Sequence, residues 1–130
     1  KTLETCTKID GPMEERQGRA VLRERFTAAG LMIQEDYPFQ EGAVAFSMDG
    51  YDPVARIGYE YITTAAGDRE ELTPQVLEGL EGLLREGRAQ VLLIDEVDVV
   101  DQDPQGAAAA LGRAADRFLG EARRRSEAAR

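Results

Sequence analysis

Residues 43–62 constrain the fold of this chain most, because apolar side chains alternate on both sides of a turn within them. The alternating residues before and after the turn are Val44, Phe46 and Met48, then Ile57, Tyr59 and Tyr61. Between the two runs, Gly50-Tyr51-Asp52-Pro53 supplies residues that favour a tight turn. Alternation with a period of two on either side of such a turn predicts a β-hairpin.

The segments around the hairpin predict three helices and two further strands. The expected elements are a helix over 12–29, a strand over 31–39, a helix over 73–86, a strand over 90–100 and a last helix that begins at Asp103-Pro104. The chain is therefore expected to form an α/β (α+β) domain with the order α-β-β-β-α-β-α. We expect a small mixed sheet of about four strands with the helices packed on it.

A single domain is expected over residues 1–130, with residues 1–11 as an N-terminal extension and residues 123–130 as a frayed tail. The continuous apolar run Val91-Leu92-Leu93-Ile94 predicts a central strand that is covered on both faces. Gly79 and Gly82 weaken the helix in which they lie, which predicts that another backbone packs closely there.

The scarcity of histidine and cysteine in this chain excludes several kinds of catalytic and metal site. Histidine is absent and Cys6 is the only cysteine, which excludes Ser/His and Cys/His nucleophile pairs, Cys/His zinc sites and internal disulfides. A lone cysteine suits a reducing compartment, so a cytoplasmic location is expected. No apolar run is long enough to span a bilayer. The chain begins with Lys1, which leaves open that it is a piece of a longer protein.

The net charge of -9 bears on the choice of partner. Binding to a phosphate backbone depends mainly on Lys and Arg, so the charge argues against nucleic acid and anionic membranes as partners. A protein partner with a basic face fits the acidic surface better. The long alanine-rich last helix leaves two arrangements open: it closes the core of its own domain, or it packs against a second copy of the chain.

Asp49 and Glu60 are the best candidates for a site, and two interpretations of them remain open. If Asp49 pairs with Arg56 across the turn, both acids lie on one face, about 13 Å apart at roughly 3.3 Å per residue. Asp49 is then a turn residue partnered by Arg56, and Glu60 faces solvent or a neighbouring charge. A bulge or a different register would bring the two carboxylates together.

The element order, with an Asp at the end of the second strand and a Glu inside the third, resembles the restriction-endonuclease-like PD-(D/E)XK superfamily. The resemblance implies that Asp49 and Glu60 hold magnesium or manganese, with Glu15 as an extra acid, and that a metal-activated water cleaves a phosphodiester. Ile62 stands where that superfamily has its lysine, and Met48 precedes Asp49 in place of proline.

A second acidic cluster follows the fourth predicted strand. Its members are Asp95, Glu96, Asp98, Asp101 and Asp103. Leu92-Leu93-Ile94-Asp95-Glu96 resembles a Walker B strand, but the chain has no Gly-x-x-x-x-Gly-Lys-Ser/Thr loop to cradle a nucleotide phosphate. The cluster is either a solvated strand exit or a surface for a basic partner. The sequence therefore favours a non-catalytic interaction or regulatory domain without a cofactor, and its alternative is the metal-dependent phosphodiesterase.

Overall fold

The computed structural model describes residues 15–64, 67–99 and 104–128. Its elements in chain order are α1 (Glu15–Ala28), β1 (Gln34–Glu41), β2 (Val44–Asp52), β3 (Ile57–Ile62), the single turn α2 (Asp68–Glu71), α3 (Pro74–Arg85), β4 (Gln90–Asp95), a 3₁₀ turn (Glu96–Val99) and α4 (Pro104–Ala128). The predicted α+β class is confirmed, and so is the predicted order of the main elements. The structure adds α2, a turn of four residues.

The ends of the helices follow local signals in the sequence. Gly30 and Gly87 come after α1 and α3 with φ angles of 96° and 73°, which residues with a Cβ rarely adopt. At the start of α3, the Thr73 hydroxyl accepts a hydrogen bond of 3.2 Å from the Val76 N–H. The predicted helix start at Pro12, the cap at Asp103 and the extension 1–11 lie outside the described residues, and α4 continues through Ala128.

The four strands form one mixed sheet in the order β1-β2-β3-β4. The first three strands are antiparallel neighbours, and β4 runs parallel to β3. The prediction that 91–94 form a central strand was therefore wrong, because β4 lies at an edge of the sheet. Its side chains nevertheless pack on both faces, with Leu92 and Ile94 on one apolar cluster and Val91 and Leu93 on the other.

Helices cover both faces of the sheet and give the domain two apolar clusters. One cluster lies between the sheet and the helices α1 and α4, and it includes Ile57, Tyr59 and Tyr61 from β3. The other lies between the sheet and α3, and it includes Val44, Phe46 and Met48 from β2. The two alternating runs of the hairpin thus serve opposite faces of the sheet.

Two glycines in α3 have a different explanation from the predicted backbone contact. A Cβ on Gly79 would collide with the Val44 side chain, so a side chain rather than a backbone requires the glycine. A Cβ on Gly82 would meet only the Arg85 Nη2 at 3.7 Å. The close backbone packing predicted at these positions was therefore wrong, and Gly82 has room for a methyl group.

Candidate functional site

The register of the β2–β3 hairpin brings the two candidate acids together. The pairs are Gly50 with Tyr59, Tyr51 with Gly58 and Asp52 with Ile57, so Asp49 lies across from Glu60. The register that would pair Asp49 with Arg56 was wrong by four residues. The predicted separation of about 13 Å along the strands is therefore absent.

Asp52, rather than Asp49, is the residue that holds the turn. Its Oδ1 accepts hydrogen bonds from the N–H groups of Val54 at 2.9 Å and Ala55 at 3.1 Å. Its Oδ2 accepts a third bond of 2.9 Å from the Met32 N–H, which ties the segment before β1 to the hairpin. Burial acts to raise the pKa of Asp52, but these three donors together lower it.

Asp49 and Glu60 replace the backbone hydrogen bonds of the sheet at the point where the regular pairing of β2 and β3 ends. The Asp49 N–H donates to Glu60 Oε1 at 2.8 Å. The Tyr61 N–H donates to Asp49 Oδ2, also at 2.8 Å. Each carboxylate thus satisfies a buried backbone donor of the opposite strand, which an apolar side chain could not do.

Glu60 is the most unusual residue of the site because its side chain is completely buried. Its Oε2 has no donor among the described residues, and the nearby carboxyl of Asp68, itself buried, accepts the Thr63 N–H at 3.0 Å. Burial, the charge of Asp49 and the charge of Asp68 raise the pKa of Glu60 to about 10. A proton on Glu60 also allows its carboxyl to donate to Asp68, which favours the neutral form further.

Arg19 of α1 supplies the positive charge at this site. Its Nε lies 3.7 Å from Asp49 Oδ1, and its Nη2 donates to the Asp49 carbonyl at 3.2 Å. The same guanidinium lies 3.8 Å from Glu15 Oε2, one turn earlier on α1. Burial nevertheless raises the pKa of Asp49 to about 7, although the Tyr61 N–H and Arg19 act to lower it.

Asp36 belongs to the same site, although no pattern in the sequence indicated it. It lies in β1 between the pairs Glu35–Gly50 and Tyr37–Met48, so it is the neighbour of Asp49 across the sheet. Its carboxylate lies 3.1 Å from Arg19 Nη2. The φ angle of Asp36 is 53°, an uncommon conformation for a residue other than glycine, and strained conformations concentrate at functional sites.

An open groove of about 750 Å³ lies beside this cluster, between α1 and the start of β1. Its lining mixes arginine and acidic side chains, several of them in contact with each other. The arginines are Arg16, Arg19 and Arg23, and the acids are Glu15, Glu24, Glu35 and Asp36. Since Arg19 borders the groove and also contacts Asp49, it connects the buried acids to the outside.

The second acidic cluster does not converge on one point in the part of the chain that the structure describes. Asp95 Oδ1 accepts the Val97 N–H at 3.0 Å, which shapes the 3₁₀ turn. Glu96 Oε2 accepts the Thr64 N–H at 2.8 Å. The Asp98 side chain is exposed, and Asp101 and Asp103 lie outside the described residues.

Residues 15–64, 67–99 and 104–128 lack both a ready-made metal site and a membrane-spanning helix. No three Asp or Glu side chains there are arranged closely enough to hold a metal ion as they stand. None of the helices in those ranges has the length and apolar character needed to cross a membrane. Comparison with protein-family models, curated proteins and solved structures found no significant match to the chain.

Proposed function

We propose that the chain is a divalent-metal-dependent phosphodiesterase with the site Asp49, Glu60 and Glu15, as the restriction-endonuclease-like resemblance implies. The observation that carries the proposal is the buried Oε2 of Glu60, which has no donor in the described structure and lies beside two further buried carboxyls. Such an atom calls for a proton or a cation, because leaving a buried acceptor unpaired is costly.

The placement of the residues supports this proposal. Asp49 lies in the second strand and Glu60 in the third, and the register sets them against each other. The charges of Glu15 and Asp68 both act on Asp49. Carboxylate oxygens are the ligands that magnesium and manganese prefer, so the chemical type of these donors suits such a cation. The carboxylates would have to move closer together to hold it, because no three of them converge in the described residues.

The residues of the chain itself would bind and orient the substrate. Arg19 and Arg23 along the groove already contact the carboxylates of Asp36 and Glu35, so a phosphate would share or displace those contacts. A guanidinium suits phosphate binding by its fork of donors. Ile62 packs against the apolar cluster under α3, so the cation near Asp49 is Arg19 rather than a lysine at that position. A divalent metal, when bound, supplies a Lewis acid that polarises a phosphoryl oxygen and activates water.

Asp49→Asn is expected to abolish manganese binding while the fold is retained. The asparagine Oδ1 can still accept the Tyr61 N–H, so the variant removes the charge and keeps the hydrogen bond. The measurement is a calorimetric titration of the metal-free protein with manganese, followed by an assay of manganese-dependent cleavage of a phosphodiester. The wild type should bind manganese and cleave, and the variant should do neither.

Asp98→Asn is the matched control, because it removes one carboxylate charge from an exposed position away from Asp49 and Glu60. It should bind manganese and cleave as the wild type does. Absence of binding in the wild type, or equal binding by Asp49→Asn, would contradict the metal site. Binding without cleavage would retain the site and reject the phosphodiesterase.

A second candidate function is the interaction domain for a basic protein partner. The observation that favours it is Val97, which is 59% exposed in the 3₁₀ turn between the acids Glu96 and Asp98. An exposed apolar side chain flanked by acids suits a contact with an amphipathic basic peptide.

Asp98→Lys is expected to weaken binding of an arginine- and leucine-containing peptide by about tenfold, since it places a like charge against the peptide. Fluorescence anisotropy with a labelled peptide measures the affinity. Glu78→Lys makes the same change in net charge on the exposed face of α3, so it serves as the control. Equal weakening by both variants would show that only the overall charge attracts the peptide.

A further inference from the structure

The outer edge of β4 has unsatisfied backbone groups in the part of the chain that the structure describes. The Gln90 N–H donates to the Arg56 carbonyl at 2.9 Å, so Gln90 directs its backbone groups toward β3. Because successive residues of a strand alternate in direction, Leu92 and Ile94 also face β3. Val91 and Leu93 therefore direct their N–H and C=O groups away from the sheet, where no described strand pairs with them.

The two edges of the sheet differ in how they are protected. The β1 edge contains Pro38, which has no N–H, and Asp36, a residue of positive φ at which the regular pairing with β2 is broken. Proline, charged residues and irregular backbone are the usual means by which proteins prevent pairing at an edge. The β4 edge has none of these within 91–94, where every side chain is apolar.

An apolar groove of about 440 Å³ runs along the β4 edge. Its lining includes Leu77, Leu80 and Leu84 from α3, Val91 and Leu93 from β4, and Phe118 and Arg125 from α4. Leu77 and Leu84 remain 38% and 37% exposed. The groove therefore offers apolar side chains above and below a strand edge that can accept another strand.

The charges at the two ends of β4 are opposite in sign. Arg88 precedes the strand, where its guanidinium also contacts Glu41 and Glu86. Arg125, which contacts Glu121, donates to Gln90 Oε1 at 3.0 Å at the same end. Asp95, Glu96 and Asp98 lie at the other end. In an antiparallel arrangement of two identical strands, the basic end of each strand lies against the acidic end of the other.

We propose that β4 pairs with β4 of a second copy of this chain, in antiparallel orientation about a two-fold axis near Leu92. Val91 then lies opposite the partner's Leu93, and both use the backbone groups that face away from β3. The two four-stranded sheets become one continuous sheet, and the groove of each protomer covers the strand edge of the other. Arg88 of each protomer approaches the acidic end of the partner strand.

The test combines sedimentation velocity over a range of protein concentrations with amide hydrogen exchange. The proposal expects a monomer–dimer equilibrium, in which the Val91 and Leu93 amides become protected as the dimer forms. The Leu92 and Ile94 amides bond to β3 and should be protected at every concentration, so they are the internal control.

Charge reversal tests the orientation of the two strands. Arg88→Glu alone and Asp98→Arg alone should each weaken the dimer by about tenfold, because each places like charges together. The double variant should restore the affinity to near the wild-type value, since it exchanges the two ends of the strand. Circular dichroism would check that each variant folds.

Three results would overturn the proposal. The first is a monomer at all concentrations with rapid exchange at Val91 and Leu93. The second is protection of these amides in the monomer, which would mean that another segment of the chain covers the edge. The third is a dimer that uses another surface or another orientation. It would appear as dimerisation without protection of the Val91 and Leu93 amides, or as a double variant whose dimer affinity stays below that of the wild type.

Discussion

Glu60→Gln is expected to stabilise the metal-free protein, by an amount that grows as the pH rises. In the unfolded chain Glu60 ionises near its ordinary value of 4.5, whereas the folded state raises its pKa to about 10. Between these values the folded state retains a proton that the unfolded chain has lost, so unfolding becomes easier with each step in pH. Glutamine has no such proton to lose, and its amide can accept from Asp49 and donate to Asp68.

The expected gain is roughly 3 kcal/mol near pH 7, since each pH unit above 4.5 adds about 1.4 kcal/mol, and it should disappear below about pH 4.5. The measurement is urea unfolding at a series of pH values in the presence of a chelator. In the wild type, the stability from Glu60 is full at acid pH and is lost as the pH rises toward 10. Asp49, whose pKa rises from 3.8 to about 7, adds to the decline up to neutral pH.

Glu78→Gln is the control, because it makes the same chemical change on the exposed face of α3. It should leave the dependence of stability on pH unchanged. A Glu60→Gln variant that is less stable than the wild type at pH 8 would show that the buried glutamate is ionised and paired in the native state.

Gly58→Ala is expected to destabilise the fold by about 3 kcal/mol, near the upper end of the usual cost of overpacking. A Cβ at this position would lie 2.5 Å from the Gly50 carbonyl oxygen, 2.6 Å from Met48 Sδ and 2.7 Å from Tyr51 Cδ1. The oxygen belongs to the backbone of the neighbouring strand, so it cannot move aside as a flexible side chain can. Chemical denaturation measures the free energy of unfolding.

Gly82→Ala is the matched control for Gly58→Ala, since it adds the same methyl group at a position with room for it. Its Cβ would meet only Arg85 Nη2 at 3.7 Å, and alanine favours a helix by up to about 1 kcal/mol over glycine. The control should therefore be slightly more stable than the wild type. Equal effects of the two substitutions would contradict the close approach of β2 and β3 at Gly58.

The order of the elements could be predicted from the sequence, whereas the register of the hairpin could not. Helix signals at Gly30, Thr73 and Gly87 are local, and the structure confirms the helix ends that they mark. A register shift of four residues, by contrast, keeps every side chain on the same face, because the side-chain period of a strand is two. The alternating pattern therefore could not distinguish the pairing of Asp49 with Arg56 from its position opposite Glu60.

The edge position of β4 in the sheet could not be predicted from the sequence, for a related reason. An apolar run indicates that both faces of a strand are covered, and helices do cover both faces of β4. Whether a second strand lies beside it is a separate property, since hydrogen-bonding edges are perpendicular to the faces. The run Val91-Leu92-Leu93-Ile94 therefore did not predict an edge strand.

The candidate site was predicted only in part. Asp49, Glu60 and Glu15 were named, and the structure places Glu15 and Asp49 beside Arg19. Glu60 joins them only through the Asp49 N–H. Arg19 had a usable signal, because it lies one helical turn after Glu15. Asp36 had none, since its role depends on a positive φ angle and on pairing with a strand that lies elsewhere in the sequence.

The reciprocal hydrogen bonds between β2 and β3 have a consequence for how this chain can change in evolution. Asp49 satisfies the Tyr61 N–H, and Glu60 satisfies the Asp49 N–H, so neither position can become apolar without leaving a buried donor unpaired. In diverged relatives the two positions should therefore vary together, with Asn and Gln as the tolerated replacements where the charge is dispensable. The two positions should stay linked wherever the pairing of β2 with β3 is kept, even in relatives that no longer bind a metal or cleave a substrate.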